Sequence, residues 1–133
     1  MSRICLDTSA YSHFMRGDAT AAELIDRAEW VGLPAVVLGE LRTGFLLGSR
    51  RRENEHRLLG FLSSPVVEIV DVDDEVSRQY AEIVVELRRA GRPIPSNDLW
   101  IAACALRAGA LLLTYDGHFQ AIARLGVLDL SNG

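Results

Sequence analysis

The chain has 133 residues, 49% of them hydrophobic and 24% charged, a composition typical of one soluble globular domain with its own core. The formal net charge of −4 excludes a uniformly basic surface for nucleic acid, so such a role depends on local patches of the 14 basic residues, all of them Arg. There is no signal-peptide pattern and no apolar stretch near the ~20 residues of a membrane span, so we expect a cytoplasmic protein without membrane contact. Cys5 and Cys104 lie in apolar segments without metal-ligand spacing, which predicts two buried thiols.

Strand-like and helix-like segments alternate along the chain, which predicts an α/β fold whose parallel strands are joined by right-handed crossovers. Short apolar runs predict strands at residues 4–6, 31–33, 66–72, 110–115 and 127–130. Helical spacing predicts helices at residues 8–16, 19–29, 35–48, 49–64, 73–91, 98–109 and 118–125, the third and fourth forming a hairpin. Because the sequence contains no repeat or linker, we expect residues 1–133 to form a single domain.

Four acidic residues occupy related positions in this pattern. Asp7 and Asp116 each follow directly on an apolar predicted strand. Asp98 stands at the start of the helix that leads into the second of these strands, and Glu40 lies in an otherwise apolar helical segment. Ligands of parallel α/β sheets bind in the crevice outside the carboxyl ends of the strands, so we expect the four side chains to converge there.

Carboxylates gathered in one crevice repel one another, which costs stability unless a cation lies between them. Mg²⁺ and Mn²⁺ take oxygen ligands and keep several waters, so an acidic crevice favours them over Zn²⁺. One or two such ions can activate a water and stabilise a phosphoryl oxygen during in-line displacement. The pattern therefore predicts metal-dependent hydrolysis of a phosphodiester.

Each acid also has a purely structural explanation. Asp7 and Asp98 both suit the N-cap of a helix, and Asp116 begins an Asp-Gly pair that is common in turns. Glu40 is the hardest to explain in this way, because its neighbours along the helix are apolar. The prediction of a metal site therefore depends on the joint placement of all four.

Four segments of the sequence together resemble a known family. They are LDTSAYSHF near the N-terminus, VVLGELRTG, SNDLWIAACALRAGALLLTYD, and the DGHF that completes it. The combination of LDTS, PSNDLWIAA and LLTYDGHF is similar to the motifs of the PIN-domain ribonucleases, and within them of the VapC-type toxins of bacterial and archaeal toxin–antitoxin pairs. The likeness spans nearly the whole chain.

The resemblance implies a three-layer α/β/α PIN-like domain with a central parallel sheet, Mg²⁺ or Mn²⁺ as cofactor, endonuclease action on RNA, homodimerisation, and inhibition by a small cognate antitoxin. The family's metal-binding and catalytic acids match four positions, in chain order Asp7, Glu40, Asp98 and Asp116. Ser9 and Thr114 fall where the family has supporting hydroxyls. The mechanism that we expect is attack of a metal-activated water on the phosphate, which leaves 5′-phosphate and 3′-hydroxyl ends.

Arginines are the candidates for an RNA-binding groove. Arg42, two residues after Glu40, has three interpretations: contact with an RNA phosphate, contact with an antitoxin carboxylate, or pairing with Glu40. The run at residues 50–52 is interpreted as a solvated helix face in which Arg51 and Glu55 form an (i, i+4) pair.

Two other functions stay open on the sequence alone: a PIN-like fold kept as a non-catalytic interaction module, and a PIN nuclease of RNA processing or repair without an antitoxin. The presence of all four acids favours a nuclease. A haloacid-dehalogenase-type phosphatase is disfavoured, because it needs a second Asp where this chain has Ser9. A dinucleotide-binding module is excluded, because it needs a Gly-rich turn after the first strand and the segment LDTSAYS has no Gly. The three histidines are scattered, and nothing in the sequence marks one as a catalytic base: His13, His56 and His118.

Overall fold

The computed structural model of the protein describes residues 2–131. Its centre is one sheet of five parallel strands in the order β3-β2-β1-β4-β5. The strands are β1 (Arg3–Leu6), β2 (Trp30–Pro34), β3 (Val67–Val70), β4 (Leu111–Thr114) and β5 (Val127–Asp129). The two cysteines are buried and free, as predicted.

Six α-helices and one 3-10 turn connect the strands. The helices are α1 (Thr8–Met15), α2 (Ala19–Arg27), α3 (Ala35–Leu47), α4 (Arg51–Leu62), α5 (Asp74–Arg89) and α6 (Ser96–Ala108), and the 3-10 turn spans Gly117–Ala121. Helices α3 and α4 pack on each other as the predicted hairpin, and α5 lies along α6. This arrangement confirms the three-layer α/β/α fold with a central parallel sheet. Within residues 2–131 there is no helix with the length and apolar character needed to cross a membrane.

Some predicted boundaries are wrong. Strand β3 spans Val67–Val70 instead of residues 66–72, because it pairs only with β2, and that partner ends at Pro34, opposite Val70. Strand β4 is likewise shorter than the predicted 110–115. The predicted last helix is a 3-10 turn, and α6 begins at Ser96, where Pro95 supplies a fixed φ of −57° at the cap.

The strand order reverses beside β1, where a ligand-binding crevice is expected in a sheet of this kind. The chain builds β1, β2 and β3 outward in one direction, then returns to add β4 and β5 on the other side of β1. The order therefore reverses between β1 and β4. In open parallel sheets this reversal opens a crevice at the carboxyl ends of the strands, and here those ends lead directly into Asp7 and Tyr115.

Candidate active site

Asp7 forms the floor of the crevice. It directly follows β1 and caps α1, and only 4% of its surface is exposed. Its Oδ1 accepts hydrogen bonds from the backbone N–H of Ala10 at 2.8 Å and from Ser9 Oγ at 2.7 Å, while Oδ2 accepts from Thr114 Oγ1. Burial raises the pKa of Asp7, and the hydrogen bonds oppose that rise only in part. Asp7 is therefore both a helix cap, as the structural explanation proposed, and a carboxylate at the crevice.

Two hydroxyls join the ends of β1 and β4 around this carboxylate. Thr114 is completely buried, donates to Asp7 Oδ2, and accepts the backbone N–H of Asp116 at 2.9 Å. Ser9 donates to Asp7 Oδ1 and accepts the backbone N–H of Tyr115 at 2.9 Å. Each hydroxyl thus fixes one oxygen of Asp7 relative to the backbone that leads to Asp116.

Glu40 reaches the same crevice from α3. Its Oε1 accepts a hydrogen bond from Thr8 Oγ1 at 2.6 Å, and its Oε2 accepts from Asn97 Nδ2 at 3.3 Å. The carboxylate therefore bridges the first turn of α1 and the first turn of α6. The side chain is half-buried, and its polar partners on two other helices explain an acid in this otherwise apolar segment.

Asp98 is the third residue of α6, whose cap is Pro95, so the interpretation of Asp98 as a helix cap is wrong. Its carboxylate faces the crevice and accepts no hydrogen bond within the described part of the chain. Burial, with the charges of Asp116, Glu40 and Asp7, raises the pKa of Asp98 to about 6. Hydrogen bonds join Glu40 to the neighbours of Asp7 and Asp98, and Thr114 joins Asp7 to the backbone of Asp116, so the structure brings all four predicted acids together.

Asp116 caps the 3-10 turn and accepts the backbone N–H of His118 at 2.9 Å. The turn brings the imidazole of His118 back over the acids, with Nδ1 at 2.9 Å from Asp116 Oδ1 and 3.9 Å from Asp98 Oδ2. One ligand atom from each of these three residues lies within 4.8 Å of the other two. Asp116 therefore fits the turn explanation and still contributes to the crevice.

The donor set of the crevice fits a divalent cation. Throughout residues 2–131, His118 is the only basic side chain within ion-pair distance of the four acids. The repulsion among the acids is thus not relieved by arginine, and a hard cation would relieve it through the oxygen ligands that it prefers. Asp98, Asp116 and His118 form the close cluster, and Asp7 and Glu40 add negative charge beside it.

We expect Thr114→Val to weaken binding of Mn²⁺ by about 10- to 100-fold, because the substitution removes the hydroxyl that holds Asp7 while keeping the side-chain shape. Isothermal titration calorimetry on the purified protein measures this change. Thr114→Ser keeps the hydroxyl and should stay near the wild type. A well-folded Val variant with wild-type affinity would show that the Thr114 hydrogen bond does not orient a ligand.

Arg42 is engaged elsewhere. Its Nε and Nη2 donate to the two carboxylate oxygens of Glu55 at 3.0 and 2.9 Å, which links α3 to α4. This bidentate contact raises the pKa of Arg42 and lowers that of Glu55. The predicted Arg51–Glu55 pair is therefore wrong, because the fork of Arg42 from the neighbouring helix occupies the carboxylate. The interpretation of Arg42 as a partner of Glu40 is wrong for the same reason.

Sequence reasoning missed His118. Its signal was local: the residue stands two positions after a strand-terminal acid in Asp-Gly-His, and a tight turn at this place folds the third side chain back beside the first. A second aromatic feature also lies near the crevice, where the rings of His13 and Tyr115 stack with centroids 3.7 Å apart. Nδ1 of His13 is 2.9 Å from the carbonyl oxygen of Ser9, one turn earlier in α1, which fixes the orientation of the ring.

Known proteins share both the sequence pattern and the fold. The PIN domain model matches residues 4–125. In Mycobacterium tuberculosis, Ribonuclease VapC4 is 36% identical over 102 residues, covering 77% of this chain and 78% of that protein. Ribonuclease VapC5 of the same organism is 35% identical over 118 residues, covering 88% of this chain and 85% of that protein. The crystal structure of VapBC-5, a member of the VapBC family of toxin–antitoxin systems from M. tuberculosis, has a TM-score of 0.77 at 27% identity and covers 98% of this chain and 100% of that chain. These likenesses, on a fold with the acids at the switch point of its sheet, confirm the resemblance: the chain belongs to the PIN-domain family and is of the VapC type.

Proposed function

We propose that this protein is a metal-dependent endoribonuclease and the toxin of a toxin–antitoxin pair. The observation that carries the proposal is the convergence of four acids at the β1–β4 switch point, with Asp7 buried at its floor. A chain that used this fold only as an interaction module would have no need to keep mutually repelling carboxylates in one crevice. Family membership supplies the rest of the support, since the relatives above are named as ribonucleases.

In this proposal Asp7, Glu40, Asp98 and Asp116 hold one or two Mg²⁺ or Mn²⁺ ions. A bound ion supplies positive charge to the phosphoryl oxygens and makes a coordinated water more acidic. Ser9 and Thr114 hold the Asp7 carboxylate in one orientation, so that it does not have to reorganise during the reaction. No side chain of the protein forms a covalent bond to the substrate.

The bond changes in the proposed reaction are those of simple hydrolysis. The oxygen of water forms a bond to phosphorus, and the bond from phosphorus to the 3′ oxygen breaks. The leaving oxygen takes up a proton, so the products carry a 5′-phosphate and a 3′-hydroxyl. The ribose 2′-hydroxyl takes no part as a nucleophile.

The proposed partners follow from the family. We propose an RNA substrate, a cognate antitoxin that blocks the crevice, a homodimer as the active form, and action in the cytoplasm by a single PIN domain. Arg42 stays a candidate for contact with RNA or antitoxin, although reaching either requires it to leave Glu55 or to share its guanidinium. The arginines at residues 50–52 lie on the same helical hairpin and are exposed.

The test is cleavage of total cellular RNA by the purified full chain, free of any partner, with Mg²⁺, Mn²⁺ or EDTA. We expect discrete fragments that require metal and carry 5′-phosphate ends. Fragments with 2′,3′-cyclic phosphates would contradict the mechanism, because they require attack by the 2′-hydroxyl.

Asp7→Asn separates the nuclease from the interaction module. Asn retains the cap of α1 while removing the buried charge, and Asp26→Asn on the exposed end of α2 is the matched control. Growth arrest on expression should disappear for Asp7→Asn and persist for Asp26→Asn. Growth arrest by a folded Asp7→Asn variant would favour a protein that acts by sequestration.

A further inference from the structure

His118 extends its imidazole over the acids of the crevice. Its side chain is 61% exposed, so the imidazole is not a core residue. The ring nevertheless turns toward the acids, and Nδ1 lies 2.9 Å from Asp116 Oδ1 and 3.9 Å from Asp98 Oδ2. The imidazole could lie in solvent, yet its Nδ1 lies beside two carboxylates, where a nitrogen ligand of a metal ion would be placed.

The backbone holds this nitrogen in place. The N–H of His118 donates to Asp116 Oδ1, so the two residues are bonded through both backbone and ring. The next residue, Phe119, is completely buried and anchors the 3-10 turn in the core. In this contact Nδ1 donates its proton to the Asp116 carboxylate, and an ion that replaces the proton would take both residues as ligands.

We propose that His118 is a nitrogen ligand of the ion in this crevice and that it makes the protein select Mn²⁺ over Mg²⁺. This inference rests on the proposed metal-dependent function and deepens it. Imidazole suits transition-metal ions, whereas Mg²⁺ binds oxygen ligands and waters almost exclusively. A cluster of two carboxylates and one imidazole therefore discriminates between two ions that an all-carboxylate cluster would accept alike.

The other two histidines do not offer this ligand. Nδ1 of His13 faces the carbonyl of Ser9, and its ring is stacked on Tyr115. His56 is exposed on α4, where it lines a groove with Arg42 and Leu59. His56 is consequently a matched control, because its removal deletes one imidazole from the surface and leaves the crevice unchanged.

Pulsed electron paramagnetic resonance on the Mn²⁺-loaded full chain tests the inference directly, because it detects the hyperfine coupling of a coordinated ¹⁴N nucleus. We expect ¹⁴N modulation in the wild type and in His56→Ala, and its loss in His118→Ala. By calorimetry, His118→Ala should bind Mn²⁺ at least about tenfold more weakly, with little change in Mg²⁺ affinity. Circular dichroism establishes that each variant is folded.

The outcomes separate this inference from the function on which it rests. Wild-type protein that binds Mn²⁺ and cleaves RNA without ¹⁴N modulation would overturn the role of His118 and leave the nuclease intact. Modulation that persists in folded His118→Ala would also overturn it. A folded wild type that binds neither Mn²⁺ nor Mg²⁺ would overturn both proposals together.

Discussion

Asp98→Asn should strongly reduce RNA cleavage and, in the absence of metal ions, make the folded protein more stable. One carboxylate of the metal site is lost, so we expect cleavage to fall by about a hundredfold or more, on the order of 3 kcal/mol in the barrier. The gain in stability arises because the Asp98 carboxylate is 19% exposed and is repelled by Asp116 and Glu40. Neutral Asn removes this repulsion, and at pH 7.5 in EDTA we expect a gain on the order of 2 kcal/mol.

The stability gain should depend on pH in a defined direction. The pKa of Asp98 rises from 3.8 to about 6 in the folded protein. Between about pH 4 and pH 6 the folded protein keeps a proton on Asp98 that the unfolded chain has released, so its free energy of unfolding falls as the pH rises through this window. Asn has no such proton to lose. Urea denaturation in EDTA should therefore find the two proteins similar near pH 4 and the variant more stable above pH 6.

Divalent ions should reverse this order. An ion that binds only the folded wild type stabilises it by mass action, and the variant with one ligand fewer gains less. Asp26→Asn changes the net charge equally, outside the crevice, and should reproduce neither effect. A metal-free Asp98→Asn variant that is less stable than the wild type at pH 7.5 would refute the repulsion among these acids.

Phe119→Ala should be the most destabilising single change near the site. Phe119 is completely buried and is among the largest such side chains of the described residues. Truncation of a buried Phe costs about 3–5 kcal/mol, through lost burial and the cavity left behind. This is a large part of the 5–15 kcal/mol typical of a domain, and we expect a fall in Tm of roughly 10 °C or more. Thermal and urea unfolding measure both quantities.

The same change should also disturb the site in molecules that stay folded. Asp116 and His118 belong to the turn that Phe119 anchors, so we expect weaker Mn²⁺ binding well below Tm. Phe119→Leu fills most of the space and should lose much less stability and affinity. An Ala variant that is destabilised yet binds Mn²⁺ like the wild type would mean that the hydrogen bonds of Asp116 suffice to hold the turn.

Much of this architecture could be predicted because it depends on local patterns. The parallel fold follows from alternating strands and helices, and acids placed one or two residues after β1 and β4 must meet at one edge of a parallel sheet. The placement of Asp7 and Asp116 therefore required no knowledge of side-chain geometry. Glu40 was a weaker prediction from the residues, since spacing along α3 does not show which way its side chain turns, and the family resemblance supported it.

The parts that sequence did not provide depend on contacts between distant segments. Glu55 had two arginines within reach, and the choice of Arg42 over Arg51 is set by the packing of α3 on α4. The extent of β3 is limited by the length of its partner β2, which its own apolar run does not reveal. The position of His118 follows from the geometry of a 3-10 turn, whereas the sequence pattern predicted a helix at residues 118–125.

The reversal of strand order between β1 and β4 has a consequence for how the protein is made. Two of the four acids, Asp7 and Glu40, are synthesised early, whereas Asp98 and Asp116 emerge only after the chain returns to the far side of β1. A nascent chain that ends before Asp98 therefore lacks two of the four acids and also the Thr114 hydroxyl that orients Asp7. The crevice can be assembled only after Asp116 has been synthesised, so a nascent chain that has not reached this residue lacks the complete set of acids.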